Sequence, residues 1–60
     1  MMTNKDKRHI LIIEDEEHIA EGLKLNLSLQ GYDVTIAGDG ISGLQEWKSG
    51  KPDLIILDIM

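Results

Sequence analysis

The chain has 60 residues, a formal net charge of −5 and no cysteine, so it holds at most one small domain, with no disulfide to reinforce a core that buries only about 60% of the unfolded surface. No run reaches the roughly 20 apolar residues of a membrane span, and the charged start "MMTNKDKRH" has no apolar targeting segment behind it. The basic cluster Lys5, Lys7 and Arg8 is interrupted by Asp6, which leaves no concentrated face for a phosphate backbone and argues against direct nucleic-acid binding. These features predict a cytoplasmic chain, disordered over residues 1–8 and folded over residues 9–60, the missing thiols being compatible with a reducing compartment.

His9 to Ile13 is a continuous β-branched run of the sort that forms a strand covered on both faces, as in a parallel sheet. The acidic stretch Glu14 to Glu17 ends it. From about Glu17 to Gln30 the spacing becomes helical, with Ile19, Ala20, Leu23 and Leu27 in one stripe. Acidic residues at the start suit the helix dipole, Gly31 is placed to terminate the helix, and Leu25 and Leu29 fall on the outer side as partly exposed leucines.

Tyr32, Val34 and Ile36 alternate with Asp33, Thr35 and Ala37, the pattern of a strand near a sheet edge. "GDGISGLQEWKSG" reads as a short helix capped by Asp39, with Ile41, Leu44 and Trp47 facing inward and two glycines weakening it. "GKPD" is a turn, and Leu54 to Leu57 is expected to be a third buried strand. His9 and His18 are expected to be exposed, since neither has a second His or Cys at ligand spacing.

The order is β-α-β-α-β; with the second crossover passing over the first strand, the parallel sheet takes the spatial order 2-1-3, and right-handed connections put one helix on each face. The first and third strands are then about 4.8 Å apart. Asp15 and Asp58 meet at the carboxyl ends of adjacent strands, where open α/β sheets bind ligands. Glu14, Asp15 and Asp58 gathered there repel one another unless a cation joins them, and hard oxygen donors with room for water suit Mg²⁺.

These residues carry a family resemblance. From His9 onward the chain resembles the first half of the receiver domain of two-component response regulators, a flavodoxin-like doubly wound fold. The shared features are the acidic pair after strand one, "GYDV" into strand two, "GDG" opening helix two, and "KPDLIILDIM" with its strand-end aspartate. The resemblance implies that Asp58 is the phosphoacceptor and that Asp15 and Asp58 are direct Mg²⁺ ligands. It makes Glu14 an outer acid acting through water, and it assigns the remaining protein ligand to the backbone carbonyl of Met60. The implied partner is a sensor histidine kinase, and the implied role is signal transfer rather than enzymatic turnover. A whole receiver continues into further strands that bring a hydroxyl residue and a lysine to the phosphoryl group, so the chain is expected to be a truncated receiver.

Other chemistries match less well. Haloacid dehalogenase phosphatases carry D-x-D, whereas Met60 stands two residues beyond Asp58; no GxGxxG or GxxxxGK[ST] turn occurs. The alternative from another class is a self-associating β-α-β-α-β fragment whose acidic site is vestigial. An unpaired edge along "LIIL" would template pairing with another chain, which predicts a homodimer or small oligomer using Leu54 to Leu57 with Leu25 or Leu29.

Overall fold

The elements follow in the order β1 (His9–Glu14), α1 (Glu17–Leu29), β2 (Asp33–Ala37), α2 (Gly40–Gly50) and β3 (Leu54–Asp58), in a computed structural model that describes residues 8–58. The segment expected to be disordered lies, apart from Arg8, outside the described residues. Arg8 itself is tied to the sheet, its carbonyl accepting the Asp33 N–H at 2.9 Å. The three strands form one parallel sheet in the order β2-β1-β3, the order expected.

Alternation along β1 divides the core in two. Ile10 and Ile12 join Val34 on one face, covered by Leu23 and Leu27 of α1. Leu11 and Ile13 join Ala37 on the other face, where α2 is seated. That helix approaches closely because Gly43 has no side chain: a Cβ built there would overlap Ile13 Cδ1 and stand 2.8 Å from Ile13 Cγ1.

Both helices end as local chemistry dictates. At the end of α1 the Gly31 N–H donates to Ser28 O at 3.0 Å and the Tyr32 N–H to Leu27 O at 3.1 Å, with Gly31 left-handed at φ 95°, a Schellman closure. The Asp39 carboxylate caps α2 by accepting the Ser42 N–H at 2.7 Å. That bond to the charged form holds the Asp39 pKa below the usual carboxylate range. At its other end α2 closes on Lys51, which is left-handed at φ 46°, a conformation costing a side-chain-bearing residue roughly 1–2 kcal/mol.

Several expectations are corrected. β3 is not buried: Leu54, Ile55 and Leu57 are 55%, 41% and 68% exposed, and only Ile56 packs against the core. Both helices lie over β1 and β2 and neither packs across β3, so an apolar strand stands beyond the helix layer. The inward-facing set of α2 is also different. Gly43 is the buried residue, Ile41 is 76% exposed, and Leu44 and Trp47 are about half exposed. The close approach at Gly43 turns Leu44 and Trp47 toward β3, where they line an open groove of about 280 Å³ with Ile55 and Leu57. Ile19 likewise leaves the α1 stripe and is half exposed, while Ala20 is buried.

His9 is not an exposed residue. It is half-buried, its Nε2 lies 2.8 Å from Thr35 Oγ1, and its backbone N–H donates to Asp53 Oδ2 at 2.8 Å. The Asp53 N–H returns a 2.8 Å bond to the His9 carbonyl. His9 therefore ties β2 and the entry to β3 together at the start of β1. His18 is exposed, as expected.

Candidate functional site

Two apolar strands in parallel register end side by side in acids. β1 and β3 pair from Ile10 with Leu54 through to Glu14 with Asp58, so the register that buries β1 also sets two carboxylates next to each other. Asp15 follows at once, before α1 begins. Glu14, Asp15 and Asp58 all line a pocket of about 380 Å³ at the carboxyl end of the sheet. The structure places these three expected residues at one pocket, while Met60 lies outside the described residues.

The three acids stand in different surroundings. Glu14 is 3% exposed, whereas Asp15 and Asp58 are solvent-exposed. Glu14 Oε2 accepts the Glu16 N–H at 2.9 Å, but Glu14 Oε1 is buried with no hydrogen-bond partner among the described residues. The Glu16 N–H pulls the Glu14 pKa down. Burial, hydrogen bonding with Asp15 and the Asp58 carboxylate together outweigh it and leave the group above its ordinary value.

Sequence reasoning missed two residues of the pocket, Glu16 and Ile19. Glu16 is the N-cap of α1, its Oε1 accepting the His18 N–H at 3.1 Å, so the helix start forms one wall. Ile19 lies in the first turn of α1, just past the N-cap. Among the described residues, no group of three or more His, Cys, Asp or Glu side chains is drawn together closely enough to hold a metal ion as placed. Nor is any helix there long and apolar enough to cross a membrane.

Known proteins share this pattern. The family model for the response regulator receiver domain matches residues 10–60. The transcriptional regulatory protein YkoG of Bacillus subtilis is 49% identical over 55 residues, covering 92% of this chain and 24% of that protein. The alkaline phosphatase synthesis transcriptional regulatory protein PhoP of the same organism is 47% identical over 53 residues, covering 88% and 22%. The sensory transduction protein RegX3 of Mycolicibacterium smegmatis is 41% identical over 51 residues, covering 85% and 22%. The chain spans about a quarter of the length of these relatives. With a parallel 2-1-3 sheet, paired strand-end acids and a family match over nearly its whole length, the chain belongs to the response regulator receiver domains.

Proposed function

We propose that Asp58 is the phosphoacceptor of a two-component relay, taking its phosphoryl group from a phosphohistidine of a sensor histidine kinase in the cytoplasm. A carboxylate oxygen of Asp58 attacks phosphorus, the P–N bond breaks, and the leaving imidazole nitrogen takes up a proton. The chain supplies the nucleophile and its placement. Asp58 is exposed at the end of a strand whose register holds it beside Glu14, so a donor can reach it while the sheet keeps it in position.

The donor set suits Mg²⁺ on one observation: Glu14 Oε1 is buried without a partner among the described residues, in a carboxylate pocket. Asp15 and Asp58 would hold the ion directly, Glu14 would act through water, and the Met60 carbonyl is the remaining candidate donor. When bound, the ion neutralises charge on the transferring oxygens.

The observation that carries the reading is the pairing of Glu14 with Asp58 across adjacent parallel strands. Incubation with acetyl phosphate and Mg²⁺ should add one phosphoryl group to the intact mass. The gain should vanish in Asp58→Asn and fall strongly in Asp15→Asn. Labelling that survives in Asp58→Asn would identify a different acceptor.

The exposure of β3 supports a further proposal, that the sixty residues on their own form homodimers or small oligomers by two-fold pairing of Leu54–Asp58 with the same strand of a second copy. Sedimentation velocity should give a dimeric or larger mass, and Leu57→Lys should lower it. A monomeric mass at high micromolar concentration would reject this pairing.

A further inference from the structure

A second groove, chemically opposite to the acidic pocket, lies where α2 gives way to β3. It has a volume of about 390 Å³ and is lined by Trp47, Lys48, Lys51 and Pro52. Two apolar surfaces and two cations form it, and no carboxylate among the described residues lines it. Trp47 is the chain's sole tryptophan and is about half exposed. In a chain of net charge −5, neither lysine forms an ion pair among the described residues.

Helix-dipole balance accounts for Lys48, a cation in the last turn of α2. It does not account for the residue at position 51. The α2 closure needs a left-handed backbone there, and glycine takes that conformation without strain. The preceding residue, Gly50, stays within the helix. The chain thus keeps a long cationic side chain at the one cap position where a side chain is unfavourable. Residues held in such conformations cluster at functional sites.

We infer that this groove docks an acidic peptide segment of a partner protein. Its carboxylates would meet Lys48 and Lys51, and an apolar side chain between them would rest on Trp47 and Pro52. Charge complementarity selects the sign of the partner, and a half-exposed tryptophan supplies the apolar anchor typical of binding hot spots. A bare anion would leave the apolar floor unused. The surface is separate from the acidic pocket and does not depend on phosphoryl transfer at Asp58.

Trp47 reports directly on occupancy. The full chain, at low salt, is titrated with the peptide Glu-Glu-Leu-Glu-Glu, with Lys-Lys-Leu-Lys-Lys and with hexathymidylate. The acidic peptide should give a saturable blue shift of the Trp47 emission. Lys48→Glu and Lys51→Glu should each weaken it by up to roughly fivefold, the upper end for one exposed ion pair. Lys51→Gly should weaken binding while leaving the thermal midpoint unchanged or higher, because it relieves the left-handed strain; a purely structural lysine would not separate the two readouts. No shift with the acidic peptide, an equal shift with the basic one, or unaltered binding by Lys51→Gly would overturn the inference. Tighter binding of hexathymidylate would assign the groove to nucleic acid and overturn it as well.

Discussion

β1 and β3 are built from almost the same residues, "ILII" and "LIIL", and lie side by side in register, yet their surroundings are opposite. Ile10 to Ile13 are at most 8% exposed, while three of the four apolar residues in β3 are 41% exposed or more. β1 has a strand on each side and a helix over each face. Among the described residues β3 has one neighbouring strand and neither helix above it. Burial here belongs to a place in the sheet, because apolar residues are covered by what the chain packs over them and not by their own hydrophobicity. The contrast extends to the strand ends, where Glu14 is enclosed and its register partner Asp58 is in solvent.

The largest expected effect comes from the centre of β1. Leu11 is fully buried, and Leu11→Ala should cost about 2–5 kcal/mol, comparable with the whole stability of so small a domain. Leu57→Ala, at a position two-thirds exposed, should cost about 0.5 kcal/mol or less. Urea titration followed by far-UV circular dichroism distinguishes them. Equal losses would mean that β3 is as well covered as β1 in solution.

A second substitution tests how β1 acquires its cover. Gly43→Ala improves intrinsic helix propensity by up to about 1 kcal/mol, but the added methyl meets Ile13 and overpacking of that kind costs about 1–3 kcal/mol. A net loss is expected, accompanied by greater exposure of Ile13 and faster amide exchange along β1. A gain in stability would show that α2 does not need its close seat.

The smallest effect concerns the end of β1. The Glu14 carboxyl has its pKa raised in the folded state, so the folded chain binds that proton more tightly than the unfolded chain does. Its contribution to stability is therefore fully present below the ordinary glutamate range and is lost as pH rises through the raised value. Glu14→Gln should flatten this pH dependence and stabilise the metal-free chain near neutral pH, while weakening its response to Mg²⁺. Thermal melts across the acidic range, with and without Mg²⁺, check both directions. A variant with the parent's pH profile would show that the acid pair carries no mutual repulsion.

Much of the fold could be read from residues alone because its signals are local or topological. The continuous apolar run after His9, the Gly31 closure of α1 and the Asp39 cap of α2 each act within a few residues. Strand order 2-1-3 followed once the second crossover was taken over the first strand, with right-handed connections then setting the helices on opposite faces, and with that order came the gathering of Glu14, Asp15 and Asp58. Side-chain surroundings were less accessible. His9 looked like a solvated residue because its partners Thr35 and Asp53 are distant in sequence. Glu16 and Ile19 acquired their place in the acidic pocket from the direction in which α1 leaves the sheet.

By itself, then, the sequence determined the element order, the parallel sheet, the helix termini and the set of acids at its carboxyl end, since propensity, capping and chain handedness act on contiguous segments. Tertiary structure alone decided which of two equivalent apolar strands is buried, which face of α2 meets the core, and which carboxylate of the acidic set loses its water. Those outcomes depend on how far each helix reaches across the sheet and how closely Gly43 lets α2 approach Ile13, distances that no single segment encodes.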